Sequence, residues 1–227
     1  MSFCVKNIVP RSDFMLGMLF VENLPTTLPR EVLSKKLAEL LDLRRTSELS
    51  PEEEKFRDAT RKLLKNGKYR ATGRGKPSSE YLLREACSES FPELHALVDL
   101  NNYLSLKYMV PISLWDLDLA KGKDIVFRLG KEGESYIFNV GGQDLKLEDL
   151  ICGCVVRDGI EVPIITPVKD SLETKLVETS TNVGMAIYYP LAAGSRDHLK
   201  TIVEEARNLF MDMGASYIES SLVASTC

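Results

Sequence analysis

Between residues 166 and 182 the chain gathers side chains able to bind a small polar molecule. Thr166-Pro-Val-Lys169-Asp170-Ser171-Leu-Glu-Thr174 supplies hydroxyls, an ammonium and a carboxylate in one short run, and Thr179-Ser-Thr-Asn182 follows. Those are the groups that hold an amino-acid-like ligand, in which a carboxyl and an amine must both be met by polar partners. The same run reads equally well as a long surface connection. A second candidate is the amide pair Asn101 and Asn102. Leu94, Leu97, Val98, Asn101, Leu104 and Tyr108 recur at helical spacing, so an amide occupies a position where a hydrophobe is expected. A buried amide must find hydrogen-bond partners or cost stability. One turn round the same helix, His95, Asp99, Asn102 and Leu106 form a stripe polar enough to border a cavity.

Other chemistries find little support. Metal and triad chemistry are poorly supported: there are two histidines, His95 in a helix interior and His198 in the first turn of the last helix. Cys152-Gly-Cys154 in a strand places both sulfurs on one face, but no second pair completes a zinc site, and ordinary buried thiols are the simpler reading. Thr72-Gly-Arg-Gly-Lys76 lacks the spacing and preceding strand of a phosphate loop. No metal and no cofactor are expected. From Arg61 to Lys76 seven basic residues occur without an acidic one, and Gly67, Gly73 and Gly75 loosen the second half. Lys65, Lys68, Arg70, Arg74 and Lys76 would then track a nucleic-acid backbone. A solvated loop facing an acidic molecule explains them as well, since Tyr69 alone offers a ring for stacking.

The elements that must position these groups fall into two halves about residues 99–118, which hold the sole tryptophan, Trp115. A strand over 14–24 precedes a helix over 30–42 with Val32, Leu33, Leu37, Leu40 and Leu41 on one side. Ser50-Pro51-Glu52-Glu53 is a capping box with proline at the first helical position, opening a helix to about 66. Ser78 or Ser79 caps a helix through Ala86, and Phe91-Pro92 opens another to Tyr108. Beyond Pro111 come strands at 112–117, 125–129, 135–140, 150–156, 162–165 and 183–189, with Asp158-Gly159 a strong hairpin signal. Ser195 caps a last helix over 196–213, buried through Leu199, Ile202, Val203, Ala206, Leu209 and Phe210 and stopped by Gly214. Residues 215–227 read as a weakly ordered tail. The fold class is α+β: a helical N-terminal half packed on a largely antiparallel, barrel-like sheet, with a C-terminal helix.

At 227 residues, with 44% apolar and 27% charged residues, the composition is that of a globular protein with a core of its own. A net charge of -4 argues against a general nucleic-acid binder, although a local basic patch is compatible with it. Five cysteines and an N-terminus without signal-peptide character point to a reducing, cytoplasmic setting. No apolar run is long enough to span a bilayer, and oligomeric state is not legible.

Residues 99–149 resemble the B3/B4 domain of the bacterial phenylalanyl-tRNA synthetase beta subunit. The resemblance rests on Asp99-Leu-Asn-Asn102-Tyr103, on Pro111-Ile-Ser113-Leu-Trp-Asp116-Leu-Asp118, and on Gly133-Glu134 with Gly142-Gln-Asp-Leu145. It continues weakly to Thr181-Asn-Val183, and Pro77-Ser-Ser-Glu-Tyr-Leu-Leu-Arg-Glu-Ala86 and Lys169-Asp170-Ser171 are similar to free-standing members. It divides the chain into an N-terminal strand and helices (1–70), a B3/B4-like domain (71–195), and a C-terminal helix and tail (196–227).

The resemblance implies an editing-type hydrolase that deacylates mischarged tRNA. The alternative is a non-catalytic module, derived from the same fold, for tRNA or a small molecule. The family's pocket asparagine falls on Asn102, its histidine on Ser113, its pocket glycine on or near Pro167, and its tyrosine-discriminating glutamate on Ala186. Three of the four positions depart, so tyrosine specificity is not expected. Taken together, Asn102, Ser113 and Asp170 are the expected catalytic groups, with Asn101, Asp116, Lys169, Ser171 and Thr174 binding substrate in a shared pocket. The implied partners are tRNA and an amino-acid-like group, with no membrane.

Overall fold

The structure is a computed structural model that describes residues 3–88, 91 and 94–226, without the Val32 side chain. The N-terminal part contributes strands β1 (Cys4–Asn7) and β2 (Phe14–Glu22) and helices α1 (Glu31–Thr46), α2 (Pro51–Leu63), α3 (Ser78–Cys87) and α4 (Ala96–Tyr108). Then follow β3 (Ile112–Asp116), the one-turn α5 (Leu117–Ala120), β4 (Asp124–Leu129), β5 (Ser135–Ile137), β6 (Asp144–Lys146), β7 (Ile151–Arg157), β8 (Ile160–Ile165) and β9 (Val183–Pro190). Helix α6 (Arg196–Asp212) and β10 (Tyr217–Ala224) close the described fold.

Alternation along β2 explains the layering. Met15, Leu19 and Val21 enter a core shared with α1, α4 and α6, whereas Phe14, Leu16, Met18 and Phe20 enter a second core with β4, β7 and β8. The sheet β10-β2-β9-β3 is therefore covered on both faces, by helices on one side and by the sheet β1-β4-β7-β8 on the other. Gly17 allows the helical layer to approach: a Cβ there would lie 2.7 Å from Val203 of α6. The sheets are antiparallel except for the β1–β4 pair, but they do not close into a barrel. With both faces of the central sheet buried by other layers, no closure is needed; the β3 edge is met instead by side-chain bonds from the loop after β8.

Local signals act where the sequence places them. Ser50 and Glu53 make the reciprocal capping box of α2, and Asp158 (φ 51°) with Gly159 (φ 79°) turns β7 into β8. The α6 stripe is buried residue for residue as its spacing predicts, and Ser195 accepts from the His198 amide. Other elements correct the sequence reading. Residues 217–224 are strand β10, paired with β2 throughout, and not a loose tail. Helix α4 starts at Ala96 with His95 as its N-cap residue, so His95 is not in a helix interior; Pro92 lies outside the described residues. Its buried side runs through Leu97, Leu100, Asn102, Tyr103, Leu104 and Leu106, while Leu94 is exposed, because neighbours cover α4 on more than one side. Ser78 and Ser79 lie inside α3, whose N-cap is Pro77. No helix of the described residues is long and apolar enough to cross a membrane.

Candidate functional site

At the β3 edge a hydroxyl, a carboxyl and a phenol meet in a buried cluster. Ser113 pairs with Ala186 of β9, and its Oγ donates to Asp170 Oδ1 at 2.7 Å. Tyr188, two residues along β9, lies 3.1 Å from the same Oγ, and the Thr166 carbonyl offers a second acceptor at 3.1 Å. One hydroxyl carries one proton. Burial raises the Tyr188 pKa well above its ordinary value, so its phenol stays protonated and donates to Ser113, which donates onward to Asp170. Asp170 Oδ1 also accepts from the Thr166 amide at 3.2 Å, and neither bond uses Oδ2. Burial pushes the Asp170 carboxyl up to about 7, against the bonds from Ser113 and from the backbone of Thr166 and Leu114, which pull it down.

The loop carrying Asp170 is fixed from several directions. Thr166 Oγ1 donates to the Lys169 carbonyl at 2.7 Å and accepts from its amide at 3.1 Å. Tyr136 donates to the same carbonyl at 2.6 Å, and the Ser78 amide at the start of α3 donates to Pro167 O. Beside this loop is a cationic, aromatic rim. The Lys169 ammonium sits 4.0 Å from the Phe138 ring centre and 5.7 Å from that of Tyr81, and Lys175 donates to the Phe138 carbonyl. Burial lowers the Lys169 pKa, and so do the neighbouring charges of Arg74 and Lys175, placing three cations close together.

The remaining candidates have other partners. Asn102 is buried on α4 but is not among the partners of Ser113 or Asp170, and the Asn101 Oδ1 is buried without one. Asp116 caps α5 through the Asp118 and Leu119 amides and accepts from Ser180 at 2.6 Å. Ser171 accepts from the Glu173 amide, capping the turn at 172–174, and the Thr174 hydroxyl is buried without a partner. In the basic segment, Arg61 pairs with Glu80, Lys68 with Glu148 at 2.7 Å, and Arg70 donates to the Gly67 and Tyr69 carbonyls. Lys65 and Arg74 are exposed and Lys76 is half-buried. Cys152 and Cys154 are free, buried thiols, Cys154 pushed up to about 12 by burial. Among the described residues no group of three or more His, Cys, Asp or Glu side chains is placed to hold a metal. A cavity between α1 and α4, lined by Arg30, Leu37 and Asp99 among others, shares no residue with the Ser113 cluster.

Tyr188, Tyr136 and Phe138 were not singled out by sequence reasoning. The available signal was Tyr188 in an otherwise apolar buried strand, where a phenol must find a partner.

Fold and site together define an α/β/β sandwich with an ionisable carboxyl buried at a sheet edge beside a cationic rim. The B3/4 domain family matches residues 68–211, and the chain belongs to that family. It is 28% identical over 145 residues to the phenylalanine–tRNA ligase beta subunit of Oleidesulfovibrio alaskensis, a match covering 62% of this chain and 16% of that one. Over 77 residues it is 35% identical to the corresponding subunit of Streptococcus mutans, 34% of this chain and 10% of that one. The chain thus spans a minor part of these relatives. A solved N-terminal fragment of the phenylalanyl-tRNA synthetase beta-subunit from Pyrococcus horikoshii aligns over 92% of this chain and 76% of that one, with 9% identity and a TM-score of 0.42.

Proposed function

We propose that this chain hydrolyses the ester of an aminoacyl-tRNA other than the tyrosyl one. The observation that carries the reading is the Asp170 carboxyl, hydrogen-bonded to Ser113 and brought by burial to about 7, where a base is both present and strong enough to act. In this reading Asp170 takes a proton from water, the water oxygen attacks the ester carbonyl, and the bond from that carbon to the terminal ribose oxygen breaks. The ribose oxygen takes up the proton, leaving free amino acid and tRNA. Ser113 and Tyr188 position Asp170 through its Oδ1, and Lys169 is assigned to substrate placement. Ala186, opposite Ser113 in register, offers no acceptor for a substrate phenol. Arg74, Lys169 and Lys175, with the rings of Tyr81 and Phe138, suit a phosphate backbone and a stacked base.

A second reading, a non-catalytic binding module, is favoured by one fact: Ser113 is only 1% exposed. Incubating the purified chain with a panel of mischarged tRNAs separates the two. Deacylation that is lost in Asp170→Asn supports the hydrolase; tRNA retardation at low salt with no deacylation leaves the module. The absence of both deacylation and retardation would overturn the nucleic-acid part of the proposal.

A further inference from the structure

We infer that the cavity between α1 and α4 binds a free α-amino acid with an apolar side chain, Asp99 taking its ammonium and Arg30 its carboxylate. The cavity measures about 280 Å³. Sites for drug-sized ligands begin at roughly 300 Å³, so this one suits a smaller guest. It shares no residue with the Ser113 cluster, and its occupancy is independent of the hydrolysis proposed there.

The polar end of the cavity is built on one residue, Leu94. Asp99 Oδ1 accepts from the Leu94 amide at 3.0 Å, and Arg30 Nη2 donates to the Leu94 carbonyl at 2.8 Å. A carboxyl and a guanidinium are thereby held about one residue's length apart without pairing, and an α-amino acid carries its two charges on a single carbon. Asp99 lines the cavity and is only 8% exposed, yet its Oδ2 has no hydrogen-bond partner among the described residues. A buried acceptor left open costs stability until a donor reaches it, and an ammonium makes one of the strong, charge-assisted bonds to a carboxylate. The guanidinium nitrogens that Arg30 does not spend on Leu94 can fork onto the carboxylate of the guest.

Beyond that end the lining is apolar. Helices α1 and α4 run in the same direction, because Arg30 reaches Leu94 at one end and Arg44 donates to the Leu106 carbonyl at 3.0 Å at the other. Leu33, Leu37 and Leu41 follow one another a turn apart on α1, a buried wall roughly 12 Å long, and Ala96 of α4 lines the cavity with them. An apolar side chain leaving the Arg30–Asp99 end has this wall to cover, and its burial supplies the affinity. Arg45 lines the far end, its Nε bonded to the Ala86 carbonyl, and its charge works against a side chain that is itself cationic.

Isothermal titration calorimetry of the intact chain with L-leucine, L-methionine and L-phenylalanine tests the inference. At least one is expected to bind with a dissociation constant of ~1 mM or tighter, in keeping with a ligand of about ten heavy atoms. The matching acid without the amine, and the matching amine without the carboxylate, should each bind at least ~10-fold more weakly, and L-lysine should not bind. Asp99→Asn keeps an oxygen for the Leu94 amide. It should lose at least ~10-fold in affinity for the amino acid but nothing for the acid that lacks the amine, a pattern that misfolding would not give. Asp170→Asn should bind as the wild type does. A wild type that binds none of the three amino acids at ~10 mM overturns the inference. So do equal affinities for the amino acid and its amine-free acid, or a loss of binding in Asp170→Asn, which would move the guest to the Ser113 cluster.

Discussion

Replacing Asp170 by Asn tests the electrostatics of the cluster without reference to any reaction. The carboxyl is held near 7 by burial, whereas in the unfolded chain it titrates near its ordinary value of about 3.9. The native state therefore binds the proton more tightly, and stability falls as pH rises from about 4 to about 7. For two such values the loss between pH 5 and pH 8 amounts to about 2–3 kcal/mol, a large share of the stability of an ordinary domain. The asparagine variant keeps an oxygen able to accept from Ser113 and the Thr166 amide, but it does not titrate. Urea unfolding of both proteins across pH 5–8 reads the difference, in which the other ionisable groups cancel. The variant should gain on the wild type by that amount and be the more stable of the two at pH 8. Parallel curves would refute the argument, because they would mean that Asp170 is solvated and ionised throughout.

Three further outcomes follow from the packing. Gly184→Ala drives a methyl into the Trp115 ring, so unfolding free energy should fall by about 1–3 kcal/mol and the emission of the sole tryptophan should shift; unchanged emission would contradict the contact. Glu205 accepts from Lys107 at 2.7 Å, from Tyr103 at 3.2 Å and from Tyr108, joining α4 to α6. Its pKa lies below the ordinary value because those bonds outweigh burial, so its contribution is present above the unfolded pKa and lost as pH falls through the folded one. Glu205→Ala should cost about 1–3 kcal/mol at pH 7 by thermal unfolding, with the penalty vanishing in acid. Arg74→Glu with Lys169→Ala should weaken tRNA retardation and flatten its salt dependence, whereas Lys68→Ala, whose ammonium is occupied by Glu148, should do little.

What the sequence discloses depends on how local the determining interaction is. The α2 capping box, the Asp158-Gly159 turn and the α6 stripe involve residues a few positions apart, and each was readable. Strand β10 was not, because a half-exposed edge strand mixes Glu219, Ser220 and Ser221 with apolar residues and owes its order to β2, some two hundred residues earlier. The α4 stripe was misplaced for a related reason: several layers bury the helix, so no single apolar face dominates. At the candidate site, the polarity of 166–174 marked the loop but not its partners. Ser113, Asp170 and Tyr188 are far apart in sequence, and only the β3–β9 register and the fold of the 166–170 loop bring them into contact. Asn102 does not meet this cluster because α4 packs on the face of β3 that carries Ile112 and Leu114, whereas Ser113 points to the other face, where it meets Asp170, Thr166 and Tyr188.

The measurement closest to the proposed activity is the rate of ester hydrolysis on mischarged tRNA as a function of pH, for the wild type and for Asp170→Asn. Hydrolysis should rise with pH through an apparent pKa near 7 in the wild type and collapse in the variant, which still binds tRNA. Equal rates in the two proteins, or a profile with no inflection in that range, would contradict the assignment of Asp170 as the base.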